Sequence, residues 1–151
     1  MVQQLERKWF EVHGIDISKK MLENAAEIHP NWVFIEWPYE EYIAPISYDC
    51  IVWLAFIHLF DHSTVRKLLR KMYNDLADDW IVHLTTTLED SYEYCIRTKK
   101  DYWTELARWR MHYTPESFVD ILKESWLRLE AFTIEHSAYD KQWMSLTARK
   151  V

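Results

Sequence analysis

Glycine is almost missing from this chain: its 151 residues include one, Gly14, beside nine tryptophans. A globular chain of this length carries about ten glycines, near 7%. Such a deficit excludes collagen-like chains and Gly/Ser linkers. Cysteine is scarce as well. Cys50 and Cys95 stand alone, with no metal or redox spacing, so a disulfide framework is excluded and two reduced thiols are expected. Long apolar runs are absent: the longest, Cys50 to Phe60, has eleven residues, too few to cross a bilayer. The opening stretch, MVQQLERKWF, is charged and has no apolar core of the signal-peptide type. These features predict a cytoplasmic protein with no membrane partner. The net charge of -6 argues against a nucleic-acid backbone as the main partner.

What is present is apolar and aromatic. Hydrophobic residues make up 49% and aromatic residues 16%, too apolar for a disordered chain. No repeat or linker divides the sequence, so one domain over residues 1–151 is expected. Residues 2–8 read as the end of a helix and Phe10–Asp16 as a strand. Ser18 is placed to N-cap a helix over 19–28, with Met21, Leu22, Ala25 and Ile28 on one face. Strands follow at 31–36 and at 48–56; the second carries a continuous apolar run from Cys50, as a strand buried on both faces would. Val65, Leu68, Leu69, Met72 and Leu76 recur at helical spacing over 62–77. Residues 80–86 read as a strand, and the polar, Tyr-rich segment 89–108 as a helix. Thr114-Pro115 opens another helix, with Thr as N-cap and Pro in the first turn. Two β-rich runs, 127–136 and 143–149, suit an antiparallel pair. The alternation indicates an α/β sheet, mostly parallel, with an antiparallel pair at its C-terminal end.

Six stretches in this order resemble a family. FEVHGIDISKKMLENA resembles the second strand and following helix of class I S-adenosylmethionine (SAM) dependent methyltransferases. VFIEWPYEEY resembles their third strand and adenine loop, and SYDCIVWLAFIHLF their fourth strand and its exit. VRKLLRKMYNDLADDWIVHLTTT resembles the helix and fifth strand that frame a "KPGG" turn. RMHYTPESFVDILKESWLRLEAF resembles the late helix and strand, where the family reads "EAGF", and QWMSLTARK the closing strand. Together they cover nearly the whole chain and imply a Rossmann-like fold with SAM as cofactor.

In open α/β sheets ligands sit beyond the carboxyl ends of the strands. Asp16 ends its strand, where a carboxylate can accept both ribose hydroxyls of an adenosine. The competing view makes it a strand-end polar residue ahead of an N-cap. By the resemblance, Ile17 packs on the adenine face, Pro38 and Tyr39 belong to the adenine loop, and Leu54 and Ala55 line the methionine side. That loop reads Trp37-Pro38-Tyr39 and lacks the acid with which the family holds the adenine amine.

A second departure is larger. The family opens on a strand and a Gly-rich turn of the type "VLDLGCGTG", which lets backbone approach the cofactor. Nothing here matches it. That strand sits between the family's second and fourth, so its loss would leave two interior edges unpaired. The sequence therefore reads as a truncated methyltransferase domain, a fragment or internal start, with weak hold on SAM. The alternative is a non-enzymatic methyltransferase-like module that dimerises or binds a protein through open sheet edges. Nucleotide binding for redox chemistry is disfavoured by the terminal antiparallel pair.

The tryptophans occupy particular places. Trp9, Trp80 and Trp126 fall at helix-to-strand junctions, where positive φ is common and glycine preferred. Trp80 and Trp126 stand where the family reads the Gly of "KPGG" and "EAGF"; Trp37 and Trp109 stand at or near family glycines too, whereas Trp143 has family counterparts. Some bacterial lineages read UGA as glycine, and translating such a gene with UGA as tryptophan would produce this pattern. UGG codons at Trp9, Trp80 and Trp126 would exclude that origin; positive φ at any of the three would agree with it.

Among the histidines, His58 and His62 are four apart but straddle a strand exit and a helix start, and nothing completes a zinc set, so no metal is expected. His58 follows the fourth strand. It is the candidate base or positioning group for a methyl acceptor, against the plainer role of a structural histidine. Methyl transfer from a sulfonium depends on proximity and orientation, and no base is obligatory. The segment 89–113 holds Tyr92, Tyr94, Tyr113 and Arg110, and either roofs the acceptor site or forms a solvated face. The acceptor itself is not legible, since this scaffold serves many.

Overall fold

Local signals place the helices, and long-range pairing places the strands. The structure is a computed structural model that describes residues 10–101, 104–136 and 142–151. The chain divides into two compact units, Met1–Ala44 and Pro45–Val151.

In the first unit β1 (His13–Asp16) and β2 (Val33–Glu36) pair in parallel, with α1 (Lys19–Ile28) as the crossover that parallel strands require. Ser18 is extended and its Oγ accepts the Met21 N–H at 3.4 Å, so the predicted N-cap is present. Leu22 and Ala25 are half-buried, whereas Met21 and Ile28 on the same predicted face are exposed. Gly14 lies directly opposite Phe34. A Cβ there would stand 2.8 Å from the Phe34 ring, so the chain's single glycine sits where no side chain fits.

The second unit carries a four-stranded sheet in the order β3-β4-β8-β7. β3 is Tyr48–Leu54, β4 Leu76–Thr87, β7 Leu127–His136 and β8 Gln142–Lys150. β3 and β4 are parallel, while β8 runs antiparallel to both β4 and β7. The α/β architecture with its terminal antiparallel pair is as expected, and the sheet is mixed. Helix α2 (His62–Asp75) turns Val65, Leu68, Leu69 and Met72 into the core, and α3 (Pro115–Glu124) adds Phe118, Ile121 and Leu122. Met144, Leu146 and Ala148 of β8 are buried in alternation, the period-2 pattern of a half-buried strand. Full burial of a side chain such as Leu69 is worth roughly 2 kcal/mol.

The helix starts are well built. Asp61 caps α2: its carboxylate accepts from the Thr64 N–H at 3.0 Å and from the hydroxyls of Ser63 and Thr64. Thr114 and Ser117 form a reciprocal capping box at α3, with Pro115 in the first turn.

One predicted element is wrong. Residues 89–108 are not helical: β5 (Tyr94–Asp101) and β6 (Thr104–Met111) form an antiparallel hairpin. Tyr94 and Ile96 alternate with polar neighbours, a period-2 signal that the polar composition masked. β4 also begins earlier than predicted. Its register against β3 shifts between Tyr48 and Cys50, with Leu76 and Ile81 as the successive partners, and Asp79 within that excursion has φ 65°. The predicted helix end at 2–8, and Trp9, lie outside the described residues. No helix among the described residues is long and apolar enough to cross a membrane.

Candidate functional site

In the first unit the candidate residues gather at the carboxyl ends of β1 and β2. Asp16 is half-buried. Its Oδ1 accepts the Ser18 N–H at 2.7 Å, which fixes the carboxylate over the start of α1. That bond occupies one carboxylate oxygen. The Asp16 carbonyl accepts from Trp37 N–H at 3.1 Å, so the exit of β2 is tied to the exit of β1. Ile17, next along the chain, is 70% exposed. Pro38 and Tyr39 are half-buried, and the Pro38 carbonyl accepts from the N–H groups of Glu41 and Tyr42 in a helical turn.

In the second unit the chain leaves β3 through a strained turn. Leu54 is exposed and Ala55 has φ 57°, a conformation that costs an L-residue about 1–2 kcal/mol. The Ala55 N–H is held by Thr85, through its carbonyl at 3.1 Å and its Oγ1 at 2.9 Å. Strain held by such bonds is typical of functional sites, and the inference runs from the outlier to a role. A short 3-10 turn, Ile57–Leu59, follows. It buries His58, whose Nδ1 lies 3.4 Å from Thr86 Oγ1. Phe56 stays partly exposed and packs 5.1 Å from Trp53 and 4.8 Å from Phe60, ring to ring. β6 packs against this turn.

His58 and His62 do not converge. His62 faces the Tyr92 hydroxyl, and its Nε2 lies 3.8 Å from Glu124, which also takes Arg66 Nε at 3.0 Å. Thr85 and Thr86, which hold the β3 exit, were not predicted as site residues. The run Thr85-Thr86-Thr87 at the end of a strand is the sequence signal that marks them.

Three kinds of fact now stand together: a carboxylate fixed at a strand end, a strained exit on the parallel neighbour of β4, and a closing antiparallel pair. A sequence model of the methyltransferase domain matches residues 1–79, just over half of the chain. The chain belongs to the methyltransferase domain family. The class I SAM-dependent resemblance of the sequence is borne out. Among solved structures, the fold is shared by 1,6-didemethyltoxoflavin-N1-methyltransferase from Burkholderia thailandensis, bound to 1,6-didemethyltoxoflavin and S-adenosylhomocysteine. It superposes with a TM-score of 0.81 at 12% identity over 99% of this chain, which spans 65% of that enzyme's length. A SAM-dependent methyltransferase from Methanosarcina mazei gives 0.81 at 17% identity, covering 100% of this chain and 87% of that one. Magnesium protoporphyrin IX methyltransferase from Synechocystis, with bound SAM, gives 0.67 at 14% identity, covering 98% and 63%. These identities show a shared methyltransferase fold. No curated protein matches the chain in sequence.

Among the described residues β1 pairs only with β2, and β3 only with β4. Of the tryptophans, Trp126 has φ 61°, as expected of a residue in a glycine position. At the Trp80 junction the positive φ falls on Asp79 instead.

Proposed function

We propose that this methyltransferase chain binds SAM and takes part in methyl transfer to an acceptor not specified by its sequence. The observation that carries the proposal is Asp16: a carboxylate at the end of a parallel strand, oriented by the Ser18 N–H and next to the exposed Ile17. A half-buried carboxylate at that place suits paired ribose hydroxyls, and the neighbouring apolar side chain suits a nucleobase face. SAM supplies an electrophilic methyl carbon on its sulfonium. Asp16 takes the ribose, Ile17 the adenine, and Pro38 and Tyr39 close the adenine loop. The resemblance assigns Leu54 and the strained Ala55 to the methionine side.

His58 is a positioning residue in this scheme. It is buried beside Thr86 rather than open to solvent, and that contact ties the 3-10 turn to β4. Orientation of donor and acceptor supplies the acceleration, which needs no base.

Gly14 lies within β1 and is not part of a turn. Calorimetric titration tests the proposal. Saturable binding is expected, and Asp16→Ala weakens it about tenfold or more, the effect of losing charge-assisted hydrogen bonds worth roughly 1.5–3 kcal/mol. No binding at all, together with a stable dimer, would overturn it in favour of a non-enzymatic module that pairs through its sheet edges.

A further inference from the structure

The β5–β6 hairpin carries a side-chain constellation apart from the residues assigned to SAM. Cys95 stands directly opposite Arg110, and the ladder runs one step further, the His112 N–H donating to the Glu93 carbonyl at 2.8 Å. Residues two apart on a strand share a face. Glu93, Cys95, Arg110 and His112 therefore project to the same side, with Cys95 and His112 as diagonal neighbours within side-chain reach.

The contacts follow from that register. Cys95 Sγ lies 3.3 Å from His112 Nε2. On the other side of the ring, His112 Nδ1 lies 3.4 Å from Glu93 Oε1. His112 is 4% exposed, whereas Cys95 is partly open to solvent. The thiol can thus be reached from outside while its imidazole partner is kept in place by packing and a carboxylate. Nucleophile, base and orienting group stand in that order, the arrangement that activates a weak nucleophile. Arg110 adds a fixed positive charge on the same face. Its Nη2 donates to Thr87 Oγ1 at 3.2 Å, and its Nε is buried with no partner among the described residues. The other titratable groups here are Tyr113, fully buried beside His112 in sequence, and Tyr92, with ring centres 6.0 Å apart. Burial, then Tyr92 and Asp61, push the Tyr113 phenol well upward, so it stays neutral.

We propose that Cys95 is a nucleophilic thiol, activated by His112 and Glu93, that takes soft carbon electrophiles as a covalent modification site. His112 Nε2 removes the thiol proton. The sulfur electron pair forms the new C–S bond, and the leaving group departs with the pair from the bond that breaks. The proton stays on the imidazolium, which faces the Glu93 carboxylate.

Iodoacetamide is the probe, with iodide as leaving group. The chain is alkylated near neutral pH, folded and unfolded in guanidinium chloride, and peptide mass spectrometry follows Cys95 and Cys50 separately. In the folded chain Cys95 is expected to react roughly tenfold faster than in the unfolded one, because His112 Nε2 stands 3.3 Å from its sulfur, placed to take the proton as the C–S bond forms. Cys50 is expected to react more slowly folded than unfolded, since packing around its sulfur and the Asp49 charge push its thiol upward. His112→Gln returns Cys95 to the unfolded rate. Because loss of a buried ring can unfold the hairpin, Glu93→Gln at an exposed position is the second variant, expected to slow Cys95 several-fold with an unchanged circular dichroism spectrum. Wild-type Cys95 reacting no faster folded than unfolded, or Glu93→Gln reacting as fast as wild type, overturns the proposal.

Discussion

Replacing Trp126 by alanine and, separately, by glycine divides backbone strain from side-chain contact at the end of α3. Trp126 follows the C-cap Ser125 with φ 61°, and its N–H donates to the Lys123 carbonyl at 3.1 Å. The indole is 57% exposed. It meets the Tyr73 ring edge-on at 5.7 Å and the Arg70 guanidinium at 5.1 Å. Both substitutions delete those contacts, a loss of about 1–2 kcal/mol from one aromatic pair and one exposed cation–π contact. Alanine keeps the left-handed strain. Glycine relieves roughly 1–2 kcal/mol of it, less about 0.4–1 kcal/mol for the greater freedom of its unfolded chain. Trp126→Gly is therefore expected to be more stable than Trp126→Ala by about 0.5–1 kcal/mol. At an ordinary position the order is reversed by a similar amount. Urea unfolding followed by far-ultraviolet circular dichroism reads the difference. With a slope near 2 kcal/mol/M the glycine midpoint lies ~0.3–0.5 M higher. An alanine variant as stable as the glycine variant, or more so, would refute the assignment of strain to this residue and remove the structural reason for placing a glycine there.

Other outcomes follow from single groups. Asp61→Ala should cost about 1 kcal/mol, the usual worth of an N-cap, seen as a lower urea midpoint. Hydrogen bonds from Ser63 and Thr64 hold the Asp61 carboxyl down at about 2, below its unfolded value near 3.9. Its contribution is thus complete above about pH 4 and fades as pH falls through about 2; a gap between wild type and variant that stays constant over that range contradicts the cap. Tyr113→Phe should leave stability unchanged or raise it by up to about 1 kcal/mol, because the buried hydroxyl has no partner among the described residues. A loss of more than about 1 kcal/mol on thermal or urea unfolding would reveal one. Phe118→Ala, at a fully buried ring 5.2 Å from that of Tyr113, should cost roughly 3–5 kcal/mol, and a smaller loss would mean the core closes over the cavity.

Much of this fold is legible along the chain. Ser18 and Thr114-Pro115 announce α1 and α3 because a cap is a contact between residues three apart. The spacing Val65, Leu68, Leu69, Met72 defines the buried face of α2 for the same local reason. That Asp16 ends a strand and precedes a cap is visible within a few residues. The β5–β6 hairpin was hidden. Its polar, charged surface obscures alternation, and nothing within one strand reveals which residue it will meet on the other.

The sequence by itself determined the family, the alternation of strands with helices, the helix starts and the antiparallel close, all of which rest on short-range periodicity and capping. It also determined that the chain holds one glycine, though not that the Phe34 ring stands over Gly14. Only the tertiary structure decided that His58 is buried against Thr86, that Asp79 rather than Trp80 takes the left-handed backbone, and that Cys95 lies against His112. Each depends on pairing between residues distant in the chain, where register and packing, not local propensity, select the neighbour.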